Sequence, residues 1–202
     1  MGEGSEESNV TITADLETVG FMELGTNAVW SLSTAKPGNG VEQLRDEDSA
    51  TFWQSDGVQP HVINIQFLRK VDIVQVSFYV DYSSDESYTP KKVSVRAGTC
   101  LHDLLDVAVA ELNEPIGWVN IDVQQNAEVL DTAEDSISAT MKHPLRCHFL
   151  QIKIMVMHQN GRDTHVRQVK VFGRRRPPHE MSIMALRNLY STVEMTQFAA
   201  IR

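Results

Sequence analysis

Residues 61–98 read HVINIQFLRKVDIVQVSFYVDYSSDESYTPKKVSVRAG, and the order of apolar and polar side chains within them decides the fold class. Ile63, Ile65 and Phe67 alternate with Asn64 and Gln66. Val74, Val76, Phe78 and Val80 share one face of the next stretch, and Val93, Val95 and Ala97 follow after a polar interval. A period of two puts successive side chains on opposite faces of an extended chain, so these are half-buried strands rather than helices.

The pattern continues outward. Val119, Ile121 and Val123 repeat it after EPIGW, then Leu150, Ile152, Ile154 and Val156, and finally Val169 and Val171 ahead of Gly173. At least six strands are predicted, with irregular loops and no long helical period between them. That arrangement favours an antiparallel sandwich over a βαβ sheet. LHDLLDVAVAEL (101–112) fits a short helix or an edge strand equally well. KPGNG (36–40) is a loop, because Pro37 fixes φ while Gly38 and Gly40 release it. Residues 124–144 are polar and acidic and read as a long surface loop. No internal repeat is present.

The expected organisation is an acidic leader over 1–18, a sandwich domain over 19–173, and a linker and tail over 174–202, with both ends flexible. A chain of 202 residues suits one domain with a complete core. Its apolar fraction of 42% and charged fraction of 22% are those of a globular protein. The net charge of −9 disfavours non-specific attraction to nucleic acid or anionic membrane, which needs an excess of Lys and Arg. One basic run opposes this trend: Arg174, Arg175 and Arg176 beside Pro177 and Pro178 read either as a solvated linker or as a nuclear-import signal. Cys100 and Cys147 are too few for a disulfide scaffold, and MGEGSEES lacks the basic and apolar regions of a secretory signal, so a reducing compartment is expected. Glu6 stands where a myristoylation signal wants Ser or Thr, and no run approaches the length of a membrane span.

Three polar loops carry the functional signal. In LRDEDSATFWQSDGVQPH (44–61), Asp46, Glu47 and Asp48 either ligate a structural cation or accept backbone N–H bonds in a turn; the ligand count for calcium is incomplete. Trp53 reads as core, and the Ser55-Asp56-Gly57 turn exposes Asp56 and Gln59. DYSSDESYTPKK (81–92) is much longer than a hairpin turn needs and brings Ser84, Asp85, Glu86, Ser87 and Tyr88 together. In HQNGRDTH (158–165), Asn160-Gly161 is a strong hairpin signal, since both residues accept φ > 0. His158, Gln159, Arg162, Asp163 and His165 then supply more donors and acceptors than a turn requires, with Arg162 expected to pair with an acid. His158, Asp163 and His165 suggest general-base chemistry or a metal, but there is no HExxH spacing, nucleophile elbow or phosphate loop. Binding of a polar ligand, a sugar or a peptide, is the favoured reading of such loops at one end of a sandwich.

The strings AVWSLSTAKPGNGVEQLRDEDSATFWQSDGVQPHVINIQF, DYSSDESYTPKKVSVRAG, EPIGWV and HQNGRDTHVRQVKVFG closely resemble the Doc-domain subunits of the anaphase-promoting complex, the cyclosome. The resemblance covers about residues 19–173 and returns at Ile201-Arg202. It implies an all-β jelly-roll sandwich, galactose-binding-domain-like, with its ligand loops at one end. It also implies a non-catalytic subunit of a ubiquitin ligase, found in nucleus and cytoplasm and using no cofactor or metal. With a propeller coactivator, that subunit forms a bipartite receptor for the destruction box of substrates and raises processivity.

By the same resemblance, Ser87 and Asn160 match the peptide-contacting positions. Arg162, Asp163 and His158 are added as loop-shaping or contacting residues, and Asp56 and Gln59 as weaker neighbours. Ile201 and Arg202 are expected to insert into a tetratricopeptide-repeat scaffold subunit, the free carboxylate being captured by prearranged donors. Other scaffold and cullin-like subunits are the further partners expected, with no nucleic acid and no membrane. The loop at 124–144 and the stretch GRRRPPHE depart from the family pattern. The competing expectation is a carbohydrate-binding sandwich using Trp53 as a stacking platform.

Overall fold

The computed structural model describes residues 20–126 and 142–174. The expected leader, the tail beyond Arg174 with Ile201 and Arg202, and the body of the 124–144 loop lie outside them. Twelve strands are described: β1 (Phe21–Glu23), β2 (Ala28–Leu32), β3 (Trp53–Gln54), β4 (His61–Asp81), β5 (Pro90–Gly98), β6 (Leu105–Glu111), β7 (Ile116–Asp122), β8 (Gln125–Asn126), β9 (Lys142–His143), β10 (Leu145–Met157), β11 (His165–Val166) and β12 (Gln168–Arg174). Two short helices, α1 (Val41–Arg45) and α2 (Tyr82–Asp85), sit in the loops.

The two apolar runs at 61–67 and 74–80 belong to one strand, β4, of 21 residues. Its first half lies between β2 and β10, and β5 and β6 extend that layer. Its second half lies between β12 and β7, with β1 beyond β12. All these pairings are antiparallel, so a single strand passes from one sheet of the sandwich to the other. The polar interval LRKVD looked like a break because it is solvent-facing; its backbone stays extended where the strand turns the corner, as strands that switch sheets do.

The inner faces match the period-two reading. Ile63, Ile65, Val93, Val95, Leu150, Ile152 and Ile154 from one sheet meet Val76, Phe78, Val80, Ile121, Val169 and Val171 from the other in one core. Each fully buried Val, Ile or Phe contributes about 1.5–3 kcal/mol from removed apolar surface. Val156 is an exception to the expected pattern: it is 41% exposed while Met157 is buried. The register of β10 against β5 shifts between Ile154 and Val156, and such a bulge inverts which residues face inward.

The ambiguous stretch 101–112 is a turn followed by β6, an edge strand that among the described residues pairs with β5 alone. The ends of the 124–144 loop are zipped by β8 against β9. Arg174 is the last residue of β12, opposite Phe21. KPGNG is a loop as expected, with Gly38 at φ +86°. Helix α1 follows it and buries Leu44.

Candidate functional site

Because β4 reverses at its corner, His61 and Asp81 lie at the same pole of the sandwich, and the loops attached to that pole converge. The 81–90 segment leaves the β12-side sheet at Asp81 and enters the β10-side sheet at β5, while 157–165 crosses back from β10 to β11, which pairs with β3 just ahead of β12. Each must bridge two layers about 10 Å apart, which explains why neither is a minimal turn.

The first crossing starts with α2. The Asp81 carboxylate accepts bonds from Ser83 N (3.0 Å), Ser83 Oγ (2.5 Å) and Ser84 Oγ (2.8 Å), and these bonds, the Ser83 hydroxyl first, hold its pKa below the ordinary value. Asp85 closes the helix and turns inward. Its carboxylate accepts from His165 Nδ1 (3.0 Å) and, in a two-pronged pairing, from Arg167 Nε and Nη2 (both 3.0 Å). The His165 ring is stacked between Tyr88 and Phe52, with centroids 4.2 Å from each. Arg167 also donates to Ser49 O and lies over the Phe52 ring. One buried acid thus ties together all three loops.

The second crossing was expected to be a hairpin with positive φ at Asn160 and Gly161. It is instead a 3-10 turn over His158–Asn160 in which Gln159 (φ 51°) and Asn160 (φ 56°) take the left-handed conformation and Gly161 does not (φ −55°). The strands it joins, β10 and β11, do not pair with each other. Gly161 is required for another reason. A Cβ placed on it would stand 1.8 Å from the Ser87 carbonyl oxygen, so only a residue without a side chain lets the two crossings touch.

Backbone and side-chain bonds lock this contact. His158 N donates to Thr89 O (2.9 Å), Thr164 Oγ1 to Tyr88 O (3.2 Å), and Gln159 Nε2 to the Tyr82 hydroxyl (3.1 Å). The third loop joins through Gln59 Nε2, which donates to Gly161 O (2.8 Å), and through the fully buried His61, whose Nε2–H donates to Arg162 O (2.7 Å). Thr164 N donates to Ser55 Oγ (2.8 Å) and its carbonyl accepts from Ser55 N (3.1 Å).

The expected site residues separate into two groups. Ser87, Asn160, Arg162 and Asp163 lie along the seam, Asn160 and Arg162 exposed and Ser87 and Asp163 half-buried. Among the described residues, the side chains of Asn160, Arg162 and Asp163 have no hydrogen-bond or ion-pair partner, and their polar groups remain open to a ligand. The acid-pairing arginine is Arg167, not Arg162. His158 is 8% exposed, with its ring edge against Tyr82 at 4.9 Å, so it shapes the loop from beneath. Burial first, helped by Lys91 and opposed by Glu114, pushes its pKa down. Asp56 and Gln59 are exposed, and Gln59 acts through Gly161. Asp85, Arg167 and His61 were not singled out from the sequence as site residues, although the loop reading named Asp85; a second basic residue two positions after His165 was the available signal.

Trp53 is wholly buried, its indole N–H donating to Thr34 O (2.9 Å), which removes it as a stacking platform. Asp46 resolves to the turn reading: its carboxylate accepts from Thr51 Oγ1 (2.7 Å), Asp48 N (2.9 Å) and Gln168 Nε2 (2.8 Å). His158, Asp163 and His165 do not converge, and among the described residues no group of three or more His, Cys, Asp or Glu is placed to hold a metal ion.

Comparison with known proteins bears on both the fold and this site. The family model described as "Anaphase-promoting complex, subunit 10" matches residues 3–200. The human anaphase-promoting complex subunit 10 is 44% identical over 188 residues, covering 93% of this chain and 92% of the human protein. The Dictyostelium discoideum subunit 10 is 47% identical over 154 residues, covering 76% and 74%. Among solved structures, a family 32 carbohydrate-binding module of Clostridium perfringens NanJ, in complex with galactose, superimposes with a TM-score of 0.57 at 10% identity, covering 75% of this chain and 98% of the module. A fucolectin from striped bass serum gives 0.56 at 10%, covering 77% and 48%. At such identities these structures speak for the β-sandwich fold alone.

Proposed function

The chain belongs to the anaphase-promoting complex subunit 10 family, and from that premise we propose that its three-loop pole receives the polar C-terminal part of a destruction box, as a non-catalytic co-receptor beside a propeller coactivator. The contact of Ser87 O with Gly161 carries this reading. It sets Ser87 and Asn160, from two different crossings, along one seam, with Arg162 and Asp163 beside them. Such a surface offers both donors and acceptors to an extended peptide's main chain and polar side chains.

The seam residues are polar and a destruction-box segment is short, so affinity for an isolated peptide is expected to be weak. An ordered peptide loses conformational entropy, and a second set of contacts from a coactivator is needed to offset that. Residues Ile201 and Arg202 are proposed to anchor the chain to a tetratricopeptide-repeat subunit, and the assembly is proposed to work in nucleus and cytoplasm. Both proposals rest on the family resemblance.

The test is a reconstituted ubiquitination assay with S87A/N160A. Fewer ubiquitins per binding event on a destruction-box substrate, with melting temperature and incorporation into the complex unchanged, is the expected result. Unchanged processivity would sink the reading.

A further inference from the structure

The pole opposite the loop cluster carries a groove of about 690 Å³ between β1, the corner of β4 and the start of β10. Its floor and rim include Leu68, 82% exposed, and Met22, 37% exposed, beside Phe67 and Val71. A bare leucine at a strand corner, next to a second exposed apolar side chain, is surface that a partner would cover.

The charges around it are mostly basic. Arg69, Lys70, Arg146 and Arg174 line the groove. The two acids on its wall are already engaged: Glu23 with Arg45 (3.2 Å) and with the amides of Gly25 and Thr26, Asp72 with Arg146 (3.6 Å). Arg69, Lys70 and Arg174 have no ion-pair partner among the described residues, although the chain as a whole carries −9.

We infer that this groove seats an acidic segment of a partner subunit of the anaphase-promoting complex, one that carries a large apolar side chain for Leu68 and Met22 and carboxylates for Arg69, Lys70 and Arg174. The inference rests on membership in that complex. Charge complementarity argues for the acidic character. Position argues for a subunit of the assembly. The first half of β4, from His61 to Phe67, separates the groove from the peptide pole by roughly 20 Å at the rise of an extended strand, so docking there leaves the peptide seam open. Arg174, the last residue of β12, lies at this pole as well.

The test uses the full chain, tagged at its N-terminus and expressed in cells, as wild type and as R69E/K70E. Both substituted positions are exposed, and an unchanged melting temperature confirms that the variant folds. Wild type is expected to recover the complex, and R69E/K70E to recover about ten-fold less or worse, because like charges facing each other across an interface cost several kcal/mol. Carbodiimide coupling of the recovered complex should join Lys70 Nζ to an Asp or Glu of another subunit. Equal recovery by the two proteins overturns the proposal. Coupling of Lys70 to Glu3, Glu6, Glu7, Asp15 or Glu17 of the same chain also overturns it, and makes this chain's own leader the occupant. Failure of wild type itself to recover any subunit removes the premise of membership and the proposal with it, whereas loss of the peptide-seam reading leaves recovery untouched.

Discussion

The Ser87 carbonyl oxygen lies where a Cβ on residue 161 would have to be, 1.8 Å from that position. The two crossings that form the candidate peptide seam are therefore held together by the absence of one atom. G161A has to push the 81–90 and 157–165 segments apart. Overpacking of this kind costs about 1–3 kcal/mol, and the displaced backbone is where Ser87 and Asn160 are mounted. Denaturant unfolding should show that loss, and processivity on destruction-box substrates should fall along with it. A variant with native stability and activity would mean that the crossings do not touch in solution.

Much of this arrangement is invisible in the sequence, and the reason is topological. The strands were legible because a half-buried extended chain must alternate, and Ile63, Ile65, Phe67, Val93, Val95, Leu150 and Ile152 do so in the open. The convergence of the loops was not, because it follows from β4 switching sheets at 68–72, where a polar interval gives no sign that the strand continues. Val156 misled for a related reason: one extra residue in β10 reverses the inward face, and a bulge leaves no mark in hydrophobic period. Ser87 and Asn160 were reached through whole-loop resemblance. The sequence names Asp85 among the polar residues of DYSSDESYTP but gives no sign that it is buried against His165 and Arg167, because its neighbours are exposed and polar.

Asp85 is the buried acid that links the segments of this pole. Its side chain is 5% exposed and serves His165 and Arg167, which are themselves nearly buried. D85A leaves the Arg167 guanidinium desolvated without its carboxylate, a loss of about 3–5 kcal/mol for a buried pair. Removing both charges in D85A/R167M should restore part of that stability, since no buried charge is then left alone. Urea denaturation of the two variants tests this. Equal stability of D85A and wild type would show that the pair is solvated and contributes little.

Acid should act on the molecule in two separate windows. His158 has its pKa lowered, first by burial and then by Lys91, so the folded state resists a proton that the unfolded chain accepts near the ordinary value of 6.5. More protons are bound unfolded than folded in that range, and stability must fall as pH drops below about 6.5. The effect should be local at first, because His158 lies under the Gln159–Asn160 turn and its ring packs on Tyr82. Asp103 behaves differently. The Thr99 hydroxyl, then the Cys100 amide and the Thr99 amide, hold its carboxylate at about 2 against an ordinary 3.8. Its contribution is complete above 3.8 and disappears as pH falls through about 2, at a turn remote from the peptide seam. Backbone amide protection factors, corrected for the intrinsic slowing of exchange in acid, should therefore fall at 158–161 between pH 7 and 5 while those of residues 99–103 hold, with the second segment opening only in strong acid. Protection lost first at 99–103 would contradict both assignments.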